Sequence, residues 1–354
     1  MTNLRIKNLS EIYDSQAAFL LCGPNNVRYF SGYTGEESVI VIYGDKRFFI
    51  TDFRYIEQAK KQVLGFDIVM TQGKSAIKTA IEIILYIKAE KLAIDENKIT
   101  AGEYLLLKDS LSDIEIFPCE DEINKIRSIK DENEISIISK AARKNDEFFE
   151  KILNFIKPGV SENDLKAELY YMMHKDGLDI AFNAIIASGE NSSLPHAQCS
   201  GRKIQTGDFI TFDFGCKKDG YCSDFTRTVA VGSISDQQKR VYEVVREANK
   251  LAFDSFRLGM KASKLDDIAR NYIKEAGYEK QFGHSLGHGV GLDIHELPRI
   301  SSLSDMVLTE GMVFTIEPGI YIEGKFGVRI EDICAIKNEK LVSLSIANRQ
   351  LIIV

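Results

Sequence analysis

Apolar residues alternate between strand-like and helix-like spacing along the first third of the chain. Ser38–Tyr43 and Lys46–Thr51 are separated by the turn sequence Gly44-Asp45, which predicts a β-hairpin. The other predicted elements are strands at residues 17–22 and 91–95, a helix capped by Asp52 that runs to about Val63, and a helix at residues 75–87. This mixture predicts an α/β domain over residues 1–122. We place no chemistry in it, because it contains no histidine and no dense acidic cluster.

A strong helix start follows, and we expect a second domain over residues 123–354. Asp131 can cap this helix, and Glu134, three residues later, can return a hydrogen bond to the capping residue. The helical pattern runs to about Ile156, where Pro158-Gly159 stops it.

Two stretches of the second domain match each other. PGVSENDLKAELYYMMHKDGLDIAF begins at Pro158 and LGMKASKLDDIARNYIKEAGYEKQF begins at Leu258. The matched pairs are Gly159 with Gly259, Leu165 with Leu265, Gly177 with Gly277 and Phe182 with Phe282. Both copies have the pattern of a capped helix that ends in glycine, the residue that tolerates a left-handed backbone there.

A second match concerns two apolar strands that each carry one acid. TGDFITFDFG ends at Gly215 and EGMVFTIEPG ends at Gly319, so Asp213 and Glu317 have the same register. The strands that return from them carry Asp224 and Glu331. We therefore expect an α+β domain with an internal pseudo-two-fold repeat. A chance match between common helix and strand patterns is the alternative.

Acids in the middle of apolar strands need a partner. A buried carboxylate must pair with a cation or shift its pKa and become neutral, and several carboxylates packed together repel one another. Each acid alone could be a satisfied core carboxylate, but four from matched hairpins favour bound divalent metal ions.

The histidines support the same interpretation. The chain has five, and three of them, at 284, 288 and 295, lie in the glycine-rich stretch HSLGHGVGLDIH. Such a stretch has low helix propensity, so we expect a loop or an irregular strand with its imidazoles available. Four carboxylates with one imidazole suit Mn²⁺ best and Co²⁺ next, whereas Zn²⁺ usually recruits more nitrogen or sulfur. His174 lies in the first repeated helix, and we interpret it as structural.

Composition and charge exclude other classes of function. The net charge is −7 and no basic run accumulates, so no nucleic-acid partner is expected. No apolar run is long enough to span a membrane, and the first ten residues lack the apolar region of a secretory signal. The six cysteines form no CxxC pair and are expected to be reduced thiols in a cytoplasmic protein. A disulfide or a metal role for Cys216 and Cys222 is the alternative.

The acids and histidines together resemble the metal set of the pita-bread metallopeptidases. HSLGHGVGLDIHELP and the pairing of EPG with RIED are similar to the Xaa-Pro peptidase branch, which comprises aminopeptidase P and prolidase. The resemblance covers nearly the whole chain, and the first domain resembles the creatinase-type N-terminal domain. It implies hydrolysis of Xaa-Pro peptide bonds in short proline-containing peptides, by a hydroxide that bridges two divalent ions. A homodimer is expected on the same basis.

The resemblance also implies roles for individual residues. It implies a metal set of Asp213, Asp224, His288, Glu317 and Glu331. It further implies that His196 lines the substrate pocket, that His284 stabilises the carbonyl or intermediate, that His295 moves protons, and that Arg329 orients the substrate or the ligands.

Several alternatives stay open at this point. The complete ligand set counts against creatinase itself and against a catalytically inactive binding protein. The first domain and the motif around Arg329 count against methionine aminopeptidase. An exopeptidase without proline specificity is a nearby alternative. Arg299 could hold the free carboxylate of a dipeptide, since a guanidinium suits that task, or could be a solvated loop residue. We favour dipeptides.

Overall fold

This computed structural model describes residues 2–12 and 17–354, and the chain divides between Ile126 and Arg127 into two units. The boundary expected at residues 122 and 123 lies inside a helix, Glu120–Ser128, and that expected boundary stays a prediction. The two units are described in turn.

Unit 1 is an α/β domain built on one six-stranded sheet. Its helices are α1 (Thr2–Ile12), α2 (Pro24–Ser31), α3 (Ile56–Gln62), α4 (Ala76–Ile87), α5 (Ala101–Ser110) and α6 (Glu120–Ser128). Its strands are β1 (Ala17–Leu21), β2 (Ser38–Tyr43), β3 (Lys46–Thr51), β4 (Asp67–Met70), β5 (Lys91–Ile94) and β6 (Glu115–Pro118). The order is β4-β3-β2-β1-β5-β6, and β2 is antiparallel to both neighbours while the other pairs are parallel.

The predicted hairpin is confirmed, but the predicted cap at Asp52 is wrong. Helix α3 begins after Tyr55, which makes no side-chain capping hydrogen bond. The Asp52 carboxylate accepts hydrogen bonds from the backbone N–H of Arg54 (2.8 Å) and from its guanidinium (2.6 Å). Asp52 therefore closes its own turn, because an aspartate can bind the backbone two residues ahead as readily as a helix terminus.

Unit 2 contains four long helices and several small antiparallel sheets. The helices are α7 (Glu132–Ile152), α8 (Glu162–Lys175), α9 (Asp236–Ser255) and α10 (Ala262–Glu275). The first strands are β7 (Asp179–Ile180), β8 (Ile185–Ser188), β9 (Phe209–Phe214), β10 (Cys216–Lys218), β11 (Tyr221–Cys222) and β12 (Phe225–Ala230). The later strands are β13 (Gly287–Gly289), β14 (Glu296–Ile300), β15 (Val313–Ile316), β16 (Gly319–Ile322), β17 (Phe326–Arg329), β18 (Asp332–Lys337) and β19 (Lys340–Ser343).

The helix start predicted in unit 2 is confirmed in detail. The N–H of Glu134 donates to Asp131 Oδ1 (2.9 Å), and the N–H of Asp131 donates to Glu134 Oε2 (2.9 Å). Helix α7 ends at Ile152 and continues as a 3₁₀ turn, Leu153–Phe155, so its α-helical part is shorter than expected. A 3₁₀ turn is a common way to finish a helix.

The internal repeat is also present in the structure. Helices α8 and α10 each have 14 residues, and each is followed by a glycine with positive φ, Gly177 (70°) and Gly277 (89°). The turns before the two helices match as well, with Gly159 N bonded to Ile204 O (2.9 Å) and Gly259 N bonded to Leu308 O (3.0 Å). Each half packs its helices against its own apolar cluster.

A backbone bridge connects the acid-bearing strands of the two halves. The first half has the sheet β12-β9-β8, and the second has β14-β13-β15-β18-β19 together with the pair β16-β17. Glu331 N donates to Thr226 O (3.0 Å), so the segment between β17 and β18 lies beside the start of β12. No helix in the described ranges is both long and apolar enough to cross a membrane.

Candidate metal centre

The first half contributes two carboxylates from neighbouring positions. Asp213 lies on β9, and Asp224 directly precedes β12. The two strands pair with Asp213 opposite Thr226, which brings Asp224 to the same end of the hairpin. Asp224 is 5% exposed, so this pairing buries a charge that water no longer solvates.

The second half contributes two carboxylates and an imidazole in a similar arrangement. Glu317 follows β15, and its N–H donates to Leu286 O (2.8 Å), which brings Glu317 beside the strand of His288. Glu331 lies between β17 and β18 and is 2% exposed. The matched hairpins therefore bring the acids of both halves to one place.

The five predicted ligand residues converge around His288. Its Nε2 lies 3.5 Å from Asp224 Oδ2 and 3.3 Å from Glu317 Oε1. One ligand atom from each of Asp224, His288 and Glu331 lies within 4.8 Å of the other two. Across residues 2–12 and 17–354, this is the one group of three such side chains that satisfies that distance. Asp213 and Glu317 line the same cavity, which has a volume of about 600 Å³.

Burial and mutual repulsion perturb the carboxylates. Burial, followed by the charges of Asp213 and Glu317, raises the pKa of Asp224 well above its usual value. Burial, followed by the charge of Asp224, raises the pKa of Glu331 in the same way. Burial raises the pKa of Glu317 to about 7. Each direction means that the buried site disfavours the ionised form of the carboxyl group.

The tautomer of His288 leaves a lone pair directed at these acids. Its Nδ1 lies 3.0 Å from the carbonyl oxygen of Gly289, which can only accept, so Nδ1 carries the proton. Burial lowers the pKa of His288, so the ring is neutral near pH 7 and Nε2 is unprotonated. An unprotonated nitrogen 3.3 Å from a carboxylate oxygen joins two acceptors, which is unfavourable unless a cation or a proton lies between them.

These residues fit divalent cations. Glu331 accepts from Thr226 Oγ1 (2.6 Å) through Oε2, whereas its buried Oε1 has no hydrogen-bond partner. In the described chain, Arg329 is the one arginine whose guanidinium bonds any of these four carboxylates, and it bonds Asp213 alone (2.5 Å). An orphaned carboxylate oxygen, an available imidazole nitrogen and an excess of negative charge are what hard or borderline cations require.

Arg329, Tyr321 and His284 form a hydrogen-bonded chain on one wall of the cavity. Arg329 Nη1 donates to the Tyr321 hydroxyl (2.7 Å), and that hydroxyl lies 3.1 Å from His284 Nε2. His284 Nδ1 donates to Ser285 O (2.8 Å), so Nε2 accepts from Tyr321. Burial, followed by the charge of Arg329, lowers the pKa of His284 to about 4. The ring is therefore neutral at pH 7.

The remaining predicted residues line the same cavity. His196 and His295 are exposed to it, and the His295 ring lies 4.3 Å from the His288 ring, edge to face. Arg299 also lines it, and Arg299 Nε donates to Ser285 Oγ (3.3 Å). His174 is exposed on α8 and does not line the cavity, which agrees with the interpretation that it is not part of the site.

Three residues of this centre were not identified from the sequence. Tyr321 connects Arg329 to His284, Thr226 donates to Glu331, and Thr315 Oγ1 donates to Glu317 Oε1 (3.1 Å). Strand alternation gave a usable signal for Tyr321, since it is two residues beyond Gly319, the partner of Arg329, and so shares their face of the β16-β17 hairpin. The threonines had no comparable signal, because threonine is common in every strand.

Comparisons with known proteins agree with this geometry. Residues 136–338 match the family model of metallopeptidase family M24, and residues 5–129 match that of the creatinase/prolidase N-terminal domain. A relative from Pyrococcus horikoshii, named Xaa-Pro dipeptidase, is 38% identical over 99% of both chains.

Two solved structures are similar over the whole chain. One is described as Xaa-Pro dipeptidase from Bacillus anthracis, with 40% identity, a TM-score of 0.96 and full coverage of both chains. The other is described as X-Pro aminopeptidase from Thermotoga maritima, with 37% identity and a TM-score of 0.90, covering 98% of this chain and 100% of that one.

Proposed function

This chain belongs to metallopeptidase family M24, and on that premise we propose that it is a metal-dependent Xaa-Pro peptidase acting on dipeptides. Its two parts are a creatinase/prolidase N-terminal domain and a pita-bread catalytic domain. The observation that carries the proposal is the convergence of four carboxylates and an unprotonated imidazole nitrogen in one cavity.

The proposed metal ligands are Asp213, Asp224, His288, Glu317 and Glu331. Two divalent ions bound there would supply Lewis acidity, lowering the pKa of a water molecule and polarising the scissile carbonyl. We propose Mn²⁺, with Co²⁺ or Zn²⁺ as the alternatives, because carboxylates outnumber nitrogen ligands and thiolates are absent from the set.

The other residues of the cavity act on the substrate itself. His284 is neutral, and the proton on its Nδ1 is held by Ser285 O, so its Nε2 and the Tyr321 hydroxyl form a polar wall that can accept hydrogen bonds from N–H groups of the substrate. Partial burial, followed by the neighbouring His288, lowers the pKa of His295, so a neutral imidazole that lines the cavity is available to take and release a proton. His196, from the loop that precedes β9, also lines the pocket.

Arg299 supports dipeptides over longer peptides. Its described hydrogen bond uses Nε alone, so both terminal nitrogens can form a paired contact with a free carboxylate. A cavity of about 600 Å³ suits a ligand as small as a dipeptide. The similarity to the Thermotoga maritima structure, which is described as an X-Pro aminopeptidase, supports a second candidate function for this chain, the cleavage of longer peptides.

The decisive experiment compares Ala-Pro, Ala-Pro-Ala and Ala-Ala after chelation and re-addition of single metals. We expect Mn²⁺ to restore cleavage of Ala-Pro, with at least ten-fold lower turnover of the other two. Equal turnover of Ala-Ala would refute proline specificity, and faster cleavage of Ala-Pro-Ala would establish the aminopeptidase alternative. Asp213→Asn protein with full activity would refute the metal assignment.

Compartment and assembly complete the proposal. All six cysteines are free thiols, which supports a reducing compartment, and we propose the cytoplasm. A homodimer is proposed from the family resemblance alone, and size-exclusion chromatography with light scattering would test it.

A further inference from the structure

Four charged side chains pack behind the segment that carries His288 and His295. Arg127 and Lys130 are the cations, Asp293 and Glu296 are the carboxylates, and we call the group the Glu296 clamp. The Arg127, Lys130 and Glu296 side chains are 3%, 1% and 6% exposed, whereas Asp293 is 37% exposed. The clamp has no net charge.

Glu296 is the centre of the clamp. It accepts from Lys130 Nζ (2.9 Å) through Oε2 and from Arg127 Nη2 through Oε1. The N–H of Asp293 also donates to Oε1 (2.9 Å), and Arg127 Nη2 donates to Asp293 Oδ2 (2.7 Å). Both carboxylate oxygens are thus engaged by cations and by the backbone of the segment that leads to His295.

Lys130 is attached through its backbone to a different strand of unit 2. The N–H of Lys130 donates to Gly311 O (2.8 Å), and Ile129 pairs with Met312, immediately before β15. The same strand also pairs with Gly289 through Phe314, and Val290 N donates to Val313 O (3.2 Å), so the clamp adds to a sheet contact that already holds the start of the segment. The clamp therefore fastens the segment of His295 to a strand that does not contain it.

The segment folds closely around the Glu296 carboxylate. A Cβ added at Gly291 would lie 2.4 Å from Glu296 Oε2, so no larger residue fits there without displacing the carboxylate. Gly291 O also accepts from Cys222 N (2.7 Å), and Gly291 N donates to Asp293 O (3.0 Å). The path from His288 to His295 has little room to move while Glu296 stays in place.

Glu296 directly follows His295 and begins β14. It pairs with Gly289, next to His288, at a point where the register of β13 and β14 shifts. A change in the position of Glu296 thus moves both histidines. The two rings are already in edge-to-face contact at 4.3 Å, so their relative position depends on this backbone.

We propose that Arg127 and Lys130 are positioning residues for His295, acting through Glu296. Neither residue lines the cavity. They fix the backbone from which His295 extends into the cavity. The inference rests on the function proposed above for its kinetic consequence, but the position of the ring can be tested without any activity.

The test uses Lys130→Met in the full chain, with two readouts. The first is the set of imidazole resonances in chelated protein carrying ¹³C-labelled histidine, where five histidines give few signals. The second is kcat and KM for Ala-Pro with Mn²⁺. We expect the His295 resonance to shift while that of His174 stays fixed, and kcat to fall about 10–100-fold with KM changed less than three-fold.

The double variant Lys130→Met with Glu296→Gln restores neutrality and should recover part of both readouts. It also carries the test if Lys130→Met alone does not fold. Asp146→Asn is the matched control, since Asp146 is a buried carboxylate that binds Ser345 and Ile346 and does not line the cavity. It should lower Tm without moving the His295 resonance.

The proposal is overturned if Lys130→Met behaves as Asp146→Asn does, with a lower Tm but an unchanged His295 resonance and an unchanged kcat. Wild-type protein that fails to cleave Ala-Pro would instead refute the proposed function. In that case the resonances of the chelated protein still decide whether the clamp positions His295.

Discussion

Replacing Glu317 with glutamine should have opposite effects on stability with and without metal. In chelated protein, burial raises the pKa of Glu317 from 4.5 to about 7, so the folded state holds its proton more tightly than the unfolded state. The stability that this protonation contributes is present below pH 4.5 and is lost as the pH rises through 7. Glutamine carries no charge at any pH, so Glu317→Gln removes the penalty at high pH.

The magnitude follows from the two pKa values. The difference between 4.5 and about 7, at roughly 1.4 kcal/mol per pH unit, amounts to about 3 kcal/mol at pH 8 and less than ~1 kcal/mol at pH 5. For a unit of this size, about 3 kcal/mol corresponds to a rise in Tm of roughly 6–12 °C. The gain should therefore be large at pH 8 and nearly absent at pH 5.

With Mn²⁺ present, wild type should be more stable than Glu317→Gln. An ion that binds only the folded state stabilises it by about 2.7 kcal/mol at 100 times its Kd, and the variant lacks one of the side chains proposed to bind the metal. The assay is thermal unfolding followed by circular dichroism, because the chain has no tryptophan. Each protein is measured at pH 5 and pH 8, with EDTA and with Mn²⁺.

Glu275→Gln is the control, because Glu275 is an exposed residue at the end of α10 and should change nothing. Two results would contradict the reasoning. One is a chelated Glu317→Gln protein that is no more stable than wild type at pH 8. The other is a Mn²⁺-induced rise in Tm as large in the variant as in wild type.

Three further predictions concern single side chains. Arg299→Met should raise KM for Ala-Pro at least ten-fold but leave KM for Ala-Pro-amide unchanged, and equal effects in steady-state assays would exclude carboxylate recognition. Tyr321→Phe removes the hydroxyl between Arg329 and His284, so kcat/KM for Ala-Pro should fall about ten-fold, the effect of one hydrogen bond. Burial opposes ionisation of Glu296, yet Lys130 and Arg127 lower its pKa to about 2, so its stabilisation is complete above pH 4.5 and is lost as the pH falls through 2. In urea unfolding, the free energy of unfolding of Glu296→Gln should fall by about 2 kcal/mol less between pH 5 and pH 3 than that of wild type. Equal losses in the two proteins would refute the low pKa.

Two acids of the metal centre, Asp213 and Glu317, could be identified from the sequence because each lies in or directly after an apolar strand. Asp213 and Glu317 are conspicuous among phenylalanine and isoleucine, and the internal repeat places them at one register. When the strand is buried, the acid is buried with it. A nearby cation is the simplest way to offset the free-energy cost of burying a carboxylate. The capping box of Asp131 and Glu134 was predictable for a related reason, since both partners lie within one turn.

Contacts between distant residues could not be found in this way. Arg127 and Glu296 are 169 positions apart, and nothing in the local sequence of either one indicates the other. Tyr321 had the correct strand alternation, but its role depends on Arg329 and His284, which only the folded chain brings together. Asp52 shows that local contacts can also be mispredicted. An aspartate can close a turn or cap a helix, and the neighbouring sequence does not determine which of the two forms.

The repeat explains the carboxylates but not the histidines, and this difference separates two functions within the domain. Each half supplies a hairpin with two acids, so the pseudo-symmetry by itself creates a place where negative charge accumulates. His284, His288 and His295 all come from the second half, and the first half contributes His196 from the loop that precedes β9. Duplicated strands can hold a symmetric pair of cations, but a substrate with distinct ends requires unlike walls. The asymmetric loops, and the Glu296 clamp that fixes one of them, are therefore where recognition of the peptide must lie.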